Sequence, residues 1–577
     1  MPTIFASPKF NRLLLLSIVI CGIVLRLIGL NWDQGYHLHP DERFLTMVIS
    51  DINLPPTINN YFDTDNSVFN PDNKNYHFYV YGNLPLLFTK SVATILKYDG
   101  YDKIYIIGRI LSVIFDSSII ILVYLISREI FTHRLIPLLG SFVYAISVLP
   151  IQQAHFFTVD SCTVFFATLT MYILILFLRT KSISHLILSG FIFGLTISSK
   201  TSIIVTLPVL LLTISLAIFK KKLFIATNNF LFLLFAFIAF RLFQPYAFNG
   251  FYRLSPLFVQ NIKLASEMIT GVYDYPPNIQ WTGTLPLIHP FMNIFFFGLG
   301  PTISLIVLIG IYMTIKNLSS KKIIVLFLIS AYIAVIFCYQ GIQWAKYMRY
   351  FYPIYPFLAI FAGNALFSIV ILKKLFKVIL ILLILSWPLA FIGIYSRLHS
   401  RVQASYWIYD NLPIGSSITS ESWDDTLPLD IPGHSFSSYR NTTLPLYDSD
   451  TISKWQSLNT IINSTDFMML TSNRLWGSIP KAISRYPESS QFYQNLFQEK
   501  LSLKRLKTFI SYPGFEMSFL RKCYLFGPTN YPGLATKWFL IDPFCANPGV
   551  YFRDDTAEES FTVYDHPQVI IFSKINK

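Results

Sequence analysis

Two adjacent acids behind a proline, Asp41 and Glu42 in the stretch WDQGYHLHPDER from Trp32 to Arg43, are the first residues whose type and spacing could do chemistry. A carboxylate held at a membrane boundary can take a proton from an attacking hydroxyl, and an adjacent acid raises the pair's joint affinity for that proton. An acid pair behind an apolar run is also what a solvated loop looks like. A further acid, Asp160, follows in IQQAHFFTVDS together with His155. A charge at such a boundary is costly unless it is solvated, paired or used. Lys346 and Arg349 stand among tyrosines in QGIQWAKYMRYFYPIYP. Arginine can clamp two phosphate oxygens at once, so this pair suits a phosphate-bearing headgroup. The competing reading there is an interfacial aromatic belt with snorkelling cations.

The elements that must position these residues are membrane helices. The chain is 53% hydrophobic, 17% aromatic and only 13% charged, with a mean hydropathy of +0.50. An ordinary soluble chain is about 25% charged. The net charge of +14 sits in short clusters between apolar runs, which membrane orientation explains and which excludes a nucleic-acid partner. About eleven runs are long enough, or nearly so, to cross a bilayer: 13–30, 104–126, 135–152, 161–178, 186–199, 202–219, 223–240, 291–314, 323–339, 351–372 and 378–395.

Alternate loops hold the cations: Lys9 and Arg12, Arg128 and Arg134, Arg179 and Lys181, Lys220 to Lys222, Lys316 with Lys321 and Lys322, and Lys373, Lys374 and Lys377. The opposite loops hold most of the acids, so the N-terminus is expected in the cytoplasm and the C-terminus outside. The first run reads as a retained helix, being long and interrupted by Arg26, which either snorkels or faces a polar cavity.

The expected domains are 1–395 for the membrane part and 396–577 for an extracytoplasmic soluble α/β part. Within the first, residues 31–103 form an outer loop whose apolar stretch 78–98 reads as surface helices, and 241–290 form a second large outer loop. In the C-terminal part, 467–470 and 569–572 read as strands and 491–501 as an amphipathic helix. Cys523 and Cys545, 22 residues apart, read equally as a disulfide or as two buried thiols. No CxxC, HExxH or Walker pattern occurs.

The acidic pair in the first outer loop, the acid after the third run, Lys200 after the fifth, and HPDE (39–42), GRILS (108–112) and RYFYPIYPFLAI (349–360) together resemble the GT-C superfamily of glycosyltransferases. Within it they resemble the bacterial branch related to protein O-mannosyltransferases (family 39-like) and aminoarabinose transferases. The resemblance implies a GT-C fold and transfer of a sugar, with inversion, from a polyprenyl-phosphate donor to an acceptor protein, lipid or glycan at the outer face of the cytoplasmic membrane. It implies Asp41 as general base, Glu42 as the residue orienting Asp41 or a metal, Asp160 as the second-loop acid, and Arg349 with Lys346 or Lys200 on the phosphate. His39 and His155 are candidates for metal or acceptor contacts. A divalent metal is permitted but not required, because Pro40 restricts how His37, His39, Asp41 and Glu42 could converge. The partners expected are membrane lipids, the lipid-linked donor and an unidentified acceptor. A lipid-linked-sugar flippase and a non-catalytic, glycan-binding scaffold are the rival readings; the flippase predicts charges at mid-membrane depth or interrupted helices in two halves.

Overall fold

The protein is described from a computed structural model over residues 8–218, 223–317, 322–369 and 374–574. It is a polytopic helical membrane protein with a C-terminal sheet domain. Seven of the described helices are long and apolar enough to cross a bilayer: Lys9–Leu27, Tyr101–Ile130, Asp160–Thr180, Phe224–Phe243, Ile323–Gly341, Met348–Ile369 and Leu375–Ile392. Two bent pairs, Leu135–Ile146 with Val148–Ala154 and Ile288–Gly298 with Pro301–Lys316, bring the number up to nine if each pair is one span. The expected runs at 186–199 and 202–219 correspond to the shorter apolar helices Ile183–Ser199 and Thr201–Ala217. The clusters Lys220–Lys222, Lys321 and Lys373 lie outside the described residues.

The run 291–314 is not the single continuous helix its hydropathy suggests. Its two halves meet at 117°, because Gly300 takes φ +82 and Pro301 lacks the N–H that a continuing helix needs. Arg26 neither snorkels nor faces a cavity. It is fully buried and ion-paired with Asp116, while its Nη1 donates to the carbonyls of Gly22 and Ala145 at 2.9 Å. Tyr144 and Tyr352 also donate to Asp116, so this mid-helix acid is closed off by partners from three other helices.

The chain forms two compact units. The first comprises residues 1–30, 41–273 and 286–385, and the second 31–40, 274–285 and 386–577. The division differs from a single cut at 395, since two segments from the outer loops join the C-terminal unit. Residues 31–103, of which 41–103 belong to the first unit, carry the helices Pro40–Asp51 and Asn83–Leu96, joined through the short helices Ile58–Phe62 and Pro71–Lys74. Residues 241–290 carry a two-stranded hairpin, β1 (Phe248–Asn249) with β2 (Arg253–Leu254), and the helix Pro256–Thr270.

The second unit is built on a five-stranded sheet of order β4-β3-β5-β11-β6. The strands are β3 (Ser417–Glu421), β4 (Arg440–Leu444), β5 (Phe467–Leu470), β6 (Leu503–Phe509) and, last in the chain, β11 (Val569–Lys574). β3 runs parallel to β4 and β5, and β11 antiparallel to β5 and β6. The run Val569 to Phe572 is apolar throughout because both faces of this sheet are covered. Val569 and Ile571 join Ala404 and Ile408 of the helix Ser400–Asn411. Ile570 and Phe572 join Leu458 and Phe492 of the helices Ile452–Ser464 and Pro487–Phe497. A second sheet of order β7-β10-β8-β9 uses β7 (Gly514–Glu516), β8 (Cys523–Phe526), β9 (Phe539–Asp542) and β10 (Gly549–Phe552). Cys523 and Cys545 form a disulfide beneath it.

Candidate active site

Asp41 and Glu42 occupy the first turn of the helix Pro40–Asp51. Proline fits that turn without losing a hydrogen bond, and the free N–H groups and helix dipole there favour ionised carboxylates. Asp160 likewise opens the helix Asp160–Thr180. Lys200 follows the helix Ile183–Ser199 in an extended conformation, at the end where the dipole favours a cation. Arg349 sits in the 3-10 turn Met348–Ile354, which contains Pro353 and leads into Tyr355–Ile369.

Within the first unit these four helix ends converge. Arg349 forms an ion pair with Asp41, and Lys200 Nζ lies 2.7 Å from Asp160 Oδ1. Tyr350 joins the two pairs: the Lys200 ammonium lies 4.8 Å, and the Arg349 guanidinium 5.8 Å, from its ring centroid. Asp160, Lys200, Arg349 and Tyr350 line one cleft, to which Thr163 and Gln340 add polar atoms. Both pairs are partly open, with side-chain exposures of 17% for Arg349, 21% for Asp41 and 23% for Lys200. An incoming anion can therefore reach both cations. Beside them the partly buried Tyr81 faces Asp41, and desolvation together with that carboxylate holds its pKa well above the ordinary value.

The other candidates lie elsewhere. Glu42, adjacent in sequence to Asp41, is fully buried and turned to Arg109: Arg109 Nε donates to its Oε2 at 3.1 Å, and Nη2 to its Oε1. The Phe157 N–H donates to the same Oε2 at 2.7 Å, and Arg109 Nη1 donates to the Leu30 carbonyl at 2.8 Å. Glu42 thus ties its helix to Tyr101–Ile130 and to the turn before Asp160, rather than orienting Asp41 directly. His155 is buried, with Nδ1 2.8 Å from the Ile151 carbonyl and Nε2 2.9 Å from that of Ile28. Lys346 is buried and does not line the cleft; its Nζ donates to the Trp344 carbonyl at 3.0 Å, and burial lowers its pKa. His39 belongs to the second unit and packs on Tyr564, with ring centroids 4.2 Å apart.

Among the described residues no group of three or more His, Cys, Asp or Glu is arranged to hold a metal ion. Asp41, Glu42 and Asp160 each face a cation instead, so the donor set does not fit a divalent metal. Sequence reasoning passed over Arg109, Tyr81 and Tyr350. An arginine in the middle of an apolar run is the signal that could have found Arg109; no sequence pattern separates Tyr350 from its neighbouring tyrosines.

Residues 100–248 match the family model described as dolichyl-phosphate-mannose-protein mannosyltransferase. That segment contains Arg109, Asp160 and Lys200, and it extends the GT-C resemblance from short motifs to a continuous quarter of the chain. Nothing matches among the curated proteins. Among solved structures, the apo oligosaccharyltransferase of Archaeoglobus fulgidus overlays with a TM-score of 0.47 at 12% identity, covering 84% of this chain and 73% of that one. ArnT from Cupriavidus metallidurans bound to undecaprenyl phosphate gives 0.44 at 12% identity, covering 83% and 95%. The Saccharomyces cerevisiae Pmt1–Pmt2 protein O-mannosyltransferase complex bound to its sugar donor gives 0.30 at 16% identity, covering 45% and 34%.

Proposed function

We propose that this chain, a multi-pass membrane protein carrying a protein-mannosyltransferase-like segment, transfers a sugar from a polyprenyl-phosphate-linked donor to a hydroxyl of a protein, lipid or glycan acceptor at the outer face of the cytoplasmic membrane. The observation that carries this reading is the pair of partly open ion pairs, Asp41–Arg349 and Lys200–Asp160, joined by Tyr350 in one site.

In this mechanism the donor phosphate engages Arg349 and Lys200. Asp41, the partner of Arg349, is then released from charge pairing. Asp41 takes the proton from the acceptor as its heteroatom attacks the anomeric carbon, and the bond to the phosphate oxygen breaks in the same displacement, with inversion. Negative charge grows on the departing phosphate, where two fixed cations stabilise it most. Asp160 holds Lys200 in place, and Tyr81 fixes the orientation of the Asp41 carboxylate. The disulfide Cys523–Cys545 supports an oxidising, extracytoplasmic location for the second unit.

A transporter would also need charge inside the bundle, and Arg26 with Asp116 supplies it. Both side chains are fully buried and hydrogen-bonded within the bundle, which suits a packing role better than a substrate path. Sugar transfer from a panel of polyprenyl-phosphate sugars to membrane extracts, with wild-type protein against Asp41→Asn, tests the proposal. Transfer that falls in the variant supports it. Lipid-sugar movement across proteoliposomes without transfer overturns it.

A further inference from the structure

The smaller sheet of the second unit has one face buried and one face open. Cys523, Leu525 and Tyr551 point inward, into a cluster with Ile510 and Tyr512. Alternation along each strand sends the intervening residues outward: Phe515 from β7, Val550 and Phe552 from β10, Tyr524 and Phe526 from β8, Phe539 and Ile541 from β9. The register lines them up in rows, Phe552–Phe526–Phe539 and Val550–Tyr524–Ile541, with Phe515 opposite Val550. None of the seven is charged. Five are exposed large hydrophobics, and the flanking Phe519 and Trp538 are 77% and 73% exposed. A contiguous apolar face of this kind marks an interaction surface rather than ordinary scatter.

Two observations choose the occupant. The first is charge. Lys522 precedes β8 and shares the outward parity of Tyr524 and Phe526, while the exposed Lys537 precedes the edge strand β9, where it also borders a cleft with Leu540 and Phe572. Because β8 and β9 are antiparallel, these exposed cations stand at opposite strand ends of the face, Lys522 beyond the Tyr524 row and Lys537 beyond the Phe526 row, with exposed Arg521 beside Lys522. The second is tethering: residues 386–392, the last turns of the membrane-spanning helix Leu375–Ile392, belong to this same unit. A face of Phe, Tyr, Ile and Trp bounded by cations, on a unit anchored in the bilayer, matches the composition that settles at a membrane interface and is drawn to anionic headgroups. A second copy fits less well, since a two-fold pairing of this face would set cations at both ends against cations.

We propose that the outward face of the β7-β10-β8-β9 sheet is a peripheral membrane surface that rests on the headgroup region of a bilayer containing anionic lipid. The proposal is independent of the catalytic reading above. Its test uses the full chain in nanodiscs of phosphatidylcholine, with and without phosphatidylglycerol. Cys21, Cys162 and Cys338 are replaced by alanine, the Cys523–Cys545 disulfide is kept, and a spin label is placed at Phe519→Cys, Phe539→Cys or, as a control, at Ile414→Cys, which is 82% exposed. Accessibility to oxygen and to a water-soluble nickel chelate is then read by power saturation. Labels at 519 and 539 are expected to be oxygen-rich and nickel-poor relative to 414, more so with phosphatidylglycerol, and to lose part of that contrast in Lys522→Glu/Lys537→Glu. Labels as nickel-accessible as the control would overturn the proposal. So would labels shielded from both reagents in a particle of doubled mass, which would make the face a protein interface, and so would an identical response in the two lipids.

Discussion

Asp41 and Glu42 are sequence neighbours with different fates. Asp41 stays partly open opposite Arg349, whereas Glu42 is enclosed with Arg109. Their substitutions should therefore separate. Asp41→Asn keeps the size of the side chain and removes the base, so transfer should fall by about 10²–10⁴ with the melting temperature little changed. Glu42→Ala leaves a buried guanidinium without its carboxylate, which costs about 3–5 kcal/mol. Its signature should be a lower melting temperature in detergent, with activity lost in proportion to folded protein. A Glu42→Ala protein that melts normally yet is inactive would make Glu42 a chemical participant. Arg349→Lys should retain charge but lose the two-pronged grip on phosphate, raising the donor KM and lowering kcat; wild-type kinetics in that variant would remove Arg349 from the donor site.

At the scale of elements, the site depends on how closely separate segments approach. Gly82 precedes the helix Asn83–Leu96, and its N–H donates to the Ser199 carbonyl at 3.1 Å, one residue before Lys200. A Cβ at Gly82 would lie 1.9 Å from the Ser198 carbonyl oxygen, a backbone atom that cannot give way cheaply. Gly82→Ala should therefore displace both Tyr81 and Lys200. A shift of about 1 Å at such a site costs about 10² in rate. The expected result is a loss of that size, measured as kcat/KM, with span insertion unaffected; full activity would show that the contact is slack. Gly108 plays a similar part in the GRILS motif. Its Cβ would meet the Phe157 ring at 2.1 Å, beside the N–H that Glu42 accepts from.

At the scale of the molecule, the second unit carries its own pH dependence. His566 is buried between two carboxylates, with Nε2 2.9 Å from Asp554 and Nδ1 2.5 Å from Asp565. Burial alone would lower its pKa, but Asp565 and Asp554 overcome this and hold it at about 10. Glu421 moves the same way for another reason, burial raising it to about 8 although Tyr493 donates to it. Both groups bind protons more tightly folded than unfolded. The His566 contribution is complete below about 6.5 and is lost as pH rises through about 10, and the Glu421 contribution is lost between about 4.5 and 8. Resistance of the 386–577 segment to limited proteolysis on heating should thus fall steadily from pH 6 to pH 10. A flat or rising profile would contradict this account. Reducing Cys523–Cys545 frees a loop of 22 residues and should lower stability by about 3 kcal/mol, measured as a fall in the same proteolysis midpoint.

Much of this was legible in the sequence because it depends on local composition. Hydropathy placed most of the spans, since a helix in lipid must be apolar along its own length. The apolar runs at 467–470 and 569–572 announced strands, and the acid and cation candidates stood out because a charge at a membrane boundary needs a reason. The tertiary structure alone decided which charges meet. Asp41 and Arg349 are 308 residues apart, and Arg26 and Asp116 are 90 apart. It also separated Asp41 from Glu42, turned His155 and Lys346 away from the cleft, and broke the 291–314 run at Gly300 and Pro301. The physical reason is the same in each case: a residue's type is fixed by the chain around it, whereas its partner is fixed by helix packing and chain reversal, which join segments that no local pattern connects.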